Sequence, residues 1–232
     1  PLYKPHKREA TMTYTLIPLE DFLSNAHSPS ESELESFSKH RDKLLLTNEN
    51  ESEEHQKIAL VEFLAKSFAY ECNTKNRIDL SIYEDNKAKV LFEVKSLNNT
   101  NEFIKGGTLN TLQNLESKAF YESILYFLRE YKTHNNNDIK HIILTNTRDF
   151  YLIDAREYLT FAKDKTILKA FDNCDKNQGT DTSTSKFYAT LKDYLPSQKN
   201  TLKFTHFHIQ TTPLPMLYQA LSPQVQKKKK NC

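Results

Sequence analysis

Glycine is unusually scarce in this chain, which holds only 3 glycines among 232 residues. A chain of ordinary composition contains about 7% glycine. Loops that wrap phosphate groups with their backbone need closely spaced glycines, and the sequence contains neither a GxxxxGK[ST] nor a GxGxxG pattern. We therefore exclude a P-loop fold and a complete nucleotide- or S-adenosylmethionine-binding domain.

The composition indicates one main globular domain with a short segment at each end. Hydrophobic residues make up 38% of the chain and charged residues 27%, and no stretch approaches the roughly 20 apolar residues of a membrane span. The three cysteines are widely spaced and form no CxxC pair, which argues against a disulfide framework or a zinc site. These features favour a cytoplasmic protein with no membrane partner.

Charge is divided unevenly along the sequence. The formal net charge is +2, but six lysines and no acidic residues lie from Ser197 onward, which leaves −4 for residues 1–196. Binding to DNA phosphates depends on clustered Lys and Arg. If the acidic part of the chain acts on DNA, we expect another part of the system to bring the DNA to it.

Hydrophobic periodicity predicts alternating helices and strands. The first helix is expected to start at a cap on Ser30 or Ser32, and residues 224–232 are expected to form an unstructured basic tail. The predicted helices cover residues 30–46, 53–68, 112–131, 155–162, 166–171 and 183–195, and the predicted strands cover residues 78–83, 90–95, 139–144, 150–153 and 202–210. This order predicts an α/β (α+β) fold with a mixed central sheet flanked by helices.

Two of these strands form a predicted hairpin that carries three charged residues. Asp79 lies at the start of the first strand, and Glu93 and Lys95 lie two residues apart on the second, so they share one strand face. The thirteen residues between Asp79 and Glu93 allow hairpin pairing to bring Asp79 opposite this pair. The alternative is an exposed amphipathic hairpin with Asp79 in a turn, but the apolar neighbours of Glu93 predict a strand buried on both faces.

Such a cluster suits phosphodiester hydrolysis, which needs a cation on the phosphate and an activated water. Mg²⁺ supplies both when one or two carboxylates hold it, and Mn²⁺ is a second candidate. We expect Asp79 and Glu93, together with the backbone carbonyl of Val94, to hold the metal. Lys95 is expected to orient or help deprotonate the attacking water and to stabilise charge on the phosphate.

Several further segments, in the same order, resemble the N-terminal nuclease domain of type IIG restriction enzymes. In those enzymes a PD-(D/E)xK nuclease is fused to an adenine methyltransferase and a target-recognition domain. The likeness covers roughly residues 50–210 and is carried by residues 50–57, 73–80, 92–95, 118–130, 140–146, 187–188 and 204–207.

The resemblance implies a PD-(D/E)xK restriction-endonuclease-like fold with a nuclease domain at residues 49–196. Residues 1–48 would form an N-terminal segment with a helix, and residues 197–232 the start of a connector and a basic tail, truncated before the methyltransferase. The methyltransferase and target-recognition domains are missing partners, and an adenine methyltransferase encoded in the DNA after the final codon would settle the family. Many relatives have Gln where Tyr121 stands, which leaves Glu122 and Tyr126, together with Glu54, as accessory candidates.

The leading hypothesis is a Mg²⁺-dependent endonuclease that hydrolyses double-stranded DNA. One alternative is a non-catalytic remnant or DNA-binding module of the same system, which would gain no stability from a divalent cation. A nuclease of another pathway is a third reading, against which the absence of helicase motifs counts. His206 and His208 share a strand face, but a two-histidine pair lacks the third ligand of a catalytic zinc site, so we expect structural roles for both.

Overall fold

The computed structural model describes residues 12–74, 78–105, 114–177 and 179–226. Within these residues the chain forms a mixed seven-stranded sheet in the order β1-β7-β6-β5-β4-β3-β2. The pairs β1–β7 and β4–β5 are parallel and the other neighbours are antiparallel. The strands are β1 (Thr13–Leu16), β2 (Glu71–Asn73), β3 (Leu80–Glu84), β4 (Lys87–Val94), β5 (His141–Thr145), β6 (Asp149–Asp154) and β7 (Thr201–His208).

Helices cover both faces of this sheet. They are α1 (Leu19–Phe22), α2 (Glu31–Leu45), α3 (Glu53–Phe68), α4 (Lys118–Leu128), α5 (Lys165–Lys176), α6 (Asp181–Tyr194), α7 (Leu214–Leu221) and α8 (Pro223–Gln226). A π-helical turn (Arg129–Thr133) extends α4, and 3₁₀ segments occupy Ala155–Lys163 and Leu195–Ser197. None of the described helices combines the length and the apolar character that a membrane crossing requires.

Serine residues cap the N-termini of helices α2, α3 and α4. Ser30 and Glu33 form a reciprocal capping box at the start of α2, and Ser52 and Ser117 accept hydrogen bonds from backbone N–H groups in the first turns of α3 and α4. Such caps satisfy donors that have no partner inside the helix. The bounds of α3 agree with the predicted helix at residues 53–68.

The β3–β4 hairpin turns tightly at Asp85 and Asn86, which have φ of 51° and 61°. Two consecutive positive φ angles are typical of the two-residue turn whose twist matches that of paired strands. The turn is shorter than the predicted charged turn at residues 84–89. Its pairing sets Leu80 opposite Phe92, which fixes the register of the residues that follow toward the open end of the hairpin.

Strand β4 separates two hydrophobic cores formed by the described residues. Its Val90, Phe92 and Val94 side chains belong to the core formed with α2, α3 and α7, whereas Leu91 belongs to the core formed with α4, α5 and α6. Side chains alternate between the faces of a strand, so Glu93 lies on the same face as Leu91. The prediction that this strand is buried on both faces is confirmed.

The predicted mixed sheet flanked by helices is confirmed, but several boundaries were wrong. The helix expected at residues 112–131 begins only at Lys118 among the described residues, and Gly106, Gly107 and Leu112 lie outside them. Strands β1 and β2 and helices α1 and α7 were not predicted. The sheet joins strands from residues 1–48, 49–196 and 197–232, because β1 pairs with β7 and β7 pairs with β6.

The C-terminal segment also departs from the expected unstructured tail. Residues 224–226 lie in α8, and Gln226 is fully buried. Its amide nitrogen donates to Ala220 O, and its Oε1 lies 3.0 Å from His141 Nδ1. These buried contacts give residues 224–226 a fixed place. Lys227–Lys230 and Cys232 lie outside the described residues.

Candidate active site

Asp79, Glu93 and Lys95 lie together at the open end of the β3–β4 hairpin. The pairing of Leu80 with Phe92, continued by one residue, sets Asp79 opposite Glu93. The backbone N–H of Val94 donates to Asp79 Oδ2 over 3.1 Å, which anchors the aspartate beside the second strand. Asp79 itself lies just before β3, not within it.

Lys95 is held between two buried carboxylates. Its Nζ lies 2.6 Å from Glu93 Oε1 and 2.6 Å from Glu122 Oε2. Only 7% of the Lys95 side chain and 12% of the Glu122 side chain are exposed, and that of Glu93 is fully buried. Burial alone would lower the pKa of Lys95, but Glu93 and Glu122 outweigh it and raise that pKa.

Glu93 is the most strongly perturbed acid of the cluster. Burial raises its pKa well above the ordinary value, the charges of Asp79 and Glu122 raise it further, and Lys95 opposes them. Its Oε2 atom is buried and has no hydrogen-bond donor within the described ranges. A buried acceptor left without a partner costs about 1–3 kcal/mol, and more when it is charged. The protein groups of the cluster therefore leave Glu93 incompletely satisfied.

Lys57 on α3 is a further member of the cluster that sequence reasoning missed. Its Nζ lies 3.4 Å from Asp79 Oδ1, and only 12% of its side chain is exposed. Burial lowers its pKa, but Asp79 and Glu54 outweigh burial and raise it. Lys57 and Lys95 thus lie among the carboxylates of Asp79, Glu93 and Glu122. Lys118 and Glu102 extend this network, since Lys118 Nζ lies 3.9 Å from Glu122 Oε1 and Glu102 Oε2 lies 4.0 Å from Lys95 Nζ.

The first turn of α3 also fixes the backbone that follows Lys95. Glu53 Oε2 accepts a hydrogen bond from Ser96 N over 3.3 Å, and Gln56 Oε1 accepts one from Leu97 N over 2.9 Å. Residues three or four apart share a helix face, so Glu53, Gln56 and Lys57 all point to the hairpin end. This periodicity is the signal that could have identified them.

Glu54, the accessory acid expected on this helix, occupies a different position. Its side chain is 70% exposed and lies 3.3 Å from Lys57 Nζ, so the structure places it on the solvent side of the lysine. Glu53, one residue earlier, is the acid that contacts the backbone after β4. A one-residue difference on a helix rotates a side chain by about 100°, which explains this difference from the expectation.

The other two accessory candidates lie on one face of α4, four residues apart. Glu122 contacts Lys95, as described above. Tyr126 is 9% exposed, and its pKa is raised by burial first and then by Glu93, Asp79 and Glu122. Tyr121 instead donates to Glu116 Oε2 over 3.5 Å. Helix α4 therefore presents Glu122 and Tyr126 to the hairpin end.

The cluster suits a hard divalent cation in its donor chemistry. Asp79 and Glu93 offer carboxylate oxygens, and the unsatisfied Oε2 of Glu93 is the observation that a cation would account for. Within the described residues no group of three or more His, Cys, Asp or Glu side chains forms a metal-holding arrangement. Mg²⁺, however, is commonly bound by one or two carboxylates with its other positions left to water and substrate phosphates.

His206 and His208 do not join this cluster. His206 Nε2 lies 2.8 Å from Asp149 Oδ1, and the imidazole packs against the Tyr151 ring at a centroid distance of 4.6 Å. His208 Nδ1 accepts a hydrogen bond from the backbone N–H of Gln210 over 3.2 Å. These contacts are consistent with the structural roles that the sequence suggested.

Comparison with known proteins places the chain in a family without assigning it a chemistry. Searches of curated proteins and of solved structures found no match. One protein-family model matches residues 18–231 and is described as "Domain of unknown function (DUF7149)". That match spans strands β2 to β7, the helices on both faces of the sheet and the cluster at the hairpin end. The chain therefore belongs to the DUF7149 family.

Proposed function

We propose that this protein is a Mg²⁺-dependent endonuclease domain of the PD-(D/E)xK type that hydrolyses phosphodiester bonds in double-stranded DNA. The observation that carries this proposal is the convergence of Asp79, Glu93 and Lys95 at one end of a hairpin, with Glu93 buried and incompletely satisfied. A purely structural ion pair would not need a third carboxylate, Glu122, beside it. Buried charges without full compensation are costly and concentrate at functional sites.

In this proposal Asp79, Glu93 and the backbone carbonyl of Val94 hold the metal. A bound Mg²⁺ would neutralise the phosphate and lower the pKa of a water molecule. Lys95 donates hydrogen bonds toward the attacking water and a phosphate oxygen, which stabilises the negative charge that develops in the transition state. The Val94 N–H bond to Asp79 and the Lys57 contact keep the aspartate oriented.

Glu122 and Tyr126 act as positioning residues. Glu122 Oε2 accepts from Lys95 over 2.6 Å, so the lysine is held in place by a second carboxylate and its long side chain loses less freedom in the reaction. Tyr126 interacts electrostatically with Glu93, Asp79 and Glu122 from the same face of α4, and its proposed role is to keep water out of the cluster. Exclusion of water strengthens electrostatic interactions among the remaining groups.

Target selection is proposed to belong to other parts of a type IIG restriction system, an adenine methyltransferase and a target-recognition domain. Residues 1–196 carry a net charge of −4, and non-specific DNA affinity comes largely from neutralised phosphates. The chain alone should bind duplex DNA in the non-specific range of about 10⁻⁴ to 10⁻⁶ M. Its cleavage should then be slow, independent of sequence and suppressed by salt.

Nicking of supercoiled plasmid tests this function. The wild type is incubated in Mg²⁺ or Mn²⁺ at low and moderate salt beside Glu93→Gln and Lys95→Ala, both of which should lose activity. Matched controls are Glu71→Gln, an exposed acid on β2, and Lys87→Ala, an exposed lysine at the far end of β4; both should nick like the wild type. Retained nicking by Glu93→Gln would refute the site, and discrete fragments at moderate salt would show that the chain reads sequence by itself.

The same wild-type protein and variants distinguish a nuclease from a non-catalytic binding module. Such a module would nick under none of these conditions and would gain no thermal stability from Ca²⁺ or Mg²⁺. If the cation stabilised the protein but no plasmid were nicked, the result would support the metal site and contradict the proposed nuclease activity.

A further inference from the structure

A second polar region lies beside the cluster on the same face of the sheet. The strand registers align Glu93 with Leu144, Leu144 with Tyr151 and Tyr151 with His206. Residues directly opposite each other on paired strands share a face. A continuous row of side chains therefore runs from the candidate active site on β4 to the Asp149–His206 pair on β6 and β7.

A cavity of about 500 Å³ opens next to this row. Its wall includes Ser96 and Leu97, which directly follow Lys95, and Asn146, Asp149 and Tyr151 from the β5–β6 end of the sheet. Small-molecule sites commonly have volumes of about 300–1,000 Å³. The cavity is therefore large enough for a ring-sized ligand and begins within two residues of the proposed catalytic lysine.

The polar groups of this wall are held in fixed orientations. Asn146 Oδ1 accepts hydrogen bonds from Arg148 N over 3.0 Å and from Asp149 N over 2.7 Å. Asp149 Oδ1 is paired with His206 Nε2 over 2.8 Å, and 31% of the Asp149 side chain remains exposed. A preformed wall of this kind recognises a ligand without the cost of ordering its side chains.

Aromatic rings complete the wall. Phe103 meets Tyr151 edge to face at a centroid distance of 5.7 Å. The imidazole of His206 also packs against the Tyr151 ring, at a centroid distance of 4.6 Å. Among the described wall residues, Lys105 is the single cation and Asp149 the single acid. A phosphate would need more positive charge, whereas a carboxylate and a carboxamide beside a cavity of this size match the polar edge of a nucleobase. The Phe103 and Tyr151 rings are buried and form an apolar base beneath these polar groups.

We propose that this cavity receives one unstacked nucleobase of the DNA strand whose phosphate lies at Asp79, Glu93 and Lys95. The inference rests on the proposed nuclease function for the position of that strand. Asp149 would accept a hydrogen bond from an amino or ring N–H group of the base, and Asn146 would contact its polar edge. The enzyme would then favour DNA in which one base leaves the stack easily, such as a mismatched or bulged position.

The test measures binding of the full chain in Ca²⁺ to three duplexes of one sequence. One duplex is fully paired, one carries a single bulged adenine, and one carries a bulged abasic site at the same position. We expect the bulged adenine to bind at least tenfold more tightly than the other two. Equal affinity for all three duplexes would overturn the proposal, and so would equal affinity for the adenine and abasic bulges.

Variants of the wall locate the effect. Thr100 lines the cavity and is exposed, so Thr100→Phe should fill part of the cavity and remove the preference for the bulged adenine. Thr182 on α6 is also exposed but is not a wall residue, so the matched substitution Thr182→Phe should keep the preference. Thermal melts establish that both variants are folded. A preference that survives Thr100→Phe and Asp149→Asn alike would overturn the assignment to this cavity.

A free nucleotide is the other possible source of a nucleobase. A competition-binding experiment distinguishes a free nucleotide from a base of the DNA strand. Adenosine or cytidine monophosphate at millimolar concentration should displace the bulged duplex only weakly. If either free nucleotide displaced the bulged duplex at micromolar concentration, the cavity would be a site for free nucleotides and the strand-bound proposal would be overturned. Plasmid nicking is scored separately: loss of the adenine preference with nicking intact defeats only this inference, whereas an adenine preference without nicking defeats only the nuclease function.

Discussion

Replacement of Glu93 by Gln should remove most of the thermal stabilisation that the protein gains from divalent cations. Glu93 supplies one of the two proposed carboxylate ligands, and it is fully buried, so no water can substitute readily for its oxygen. At a Ca²⁺ concentration 100 times the Kd, binding stabilises the wild type by about 2.7 kcal/mol. For a protein of this size, about 1 kcal/mol corresponds to about 2–4 °C in Tm, which predicts a rise of about 5–11 °C.

Loss of one charged contact of about 2.7 kcal/mol would weaken binding about 100-fold. At the same Ca²⁺ concentration the variant would gain only about 0.4 kcal/mol, or about 1–2 °C. The comparison uses the rise within each protein, because Glu93→Gln also removes a buried charge and so changes the metal-free Tm. Differential scanning calorimetry with and without Ca²⁺ measures both rises, and calorimetric titration measures the affinities.

Lys95→Ala is the contrasting variant in this experiment. It removes a charge beside the proposed water and keeps both proposed ligands, so its Ca²⁺-induced rise should match that of the wild type. Its metal-free stability should fall by about 3–5 kcal/mol, because the loss of Lys95 leaves the fully buried Glu93 without its ammonium partner. Equal rises in wild type and Glu93→Gln would refute the assignment of Glu93 as a ligand.

Three further predictions concern parts of the fold that hold the site in place. Arg148→Ala should lower the free energy of unfolding by about 1–3 kcal/mol in urea denaturation, because the guanidinium of Arg148 donates to three backbone carbonyl oxygens at and just after the C-terminal end of α2; an unchanged midpoint would contradict this. Asn86→Val should cost about 1–2 kcal/mol because φ is 61° there, whereas Asn86→Gly should not, and equal stability of the two variants would argue against the tight turn. Burial opposes ionisation of Asp149, but its contacts with His206 outweigh burial and lower its pKa, so its contribution to stability is present above about pH 3.9 and is lost as the pH falls through the lower folded-state pKa. Thermal melts of Asp149→Asn should therefore show a shallower loss of stability below about pH 4, and an acid slope like that of the wild type would count against this ion pair.

Only the residues of the candidate site that lie on the β3–β4 hairpin, or directly beside its strands, could be placed from the sequence. The spacing of Glu93 and Lys95 placed them on one strand face, and the thirteen residues back to Asp79 allowed the pairing that the structure contains. Lys57 and Glu53 belong to a helix whose rotation relative to the hairpin is set by packing. For that reason the sequence pointed to Glu54, and the structure places Glu53 and Lys57 at the hairpin end instead.

Local patterns in the sequence by themselves determined helices α2 and α3, which flank the hairpin. Ser52 and the apolar spacing after it define α3, and Ser30 with Glu33 defines the start of α2, because capping and helical periodicity depend only on neighbouring residues. The alternation along β4 likewise determined that Glu93 shares a face with Lys95, since the period of a strand is two.

Only the tertiary structure decided which distant segments complete the sheet and the site. The pairing of β1 with β7 joins residues about 190 positions apart, and no local pattern encodes a partner at that distance. The start of α4 at Lys118 and the position of Glu122 against Lys95 depend on the same long-range packing. Burial of Glu93 among Asp79, Glu122 and Lys95 is likewise a tertiary property, because charges become strongly coupled only when the surrounding chain excludes water.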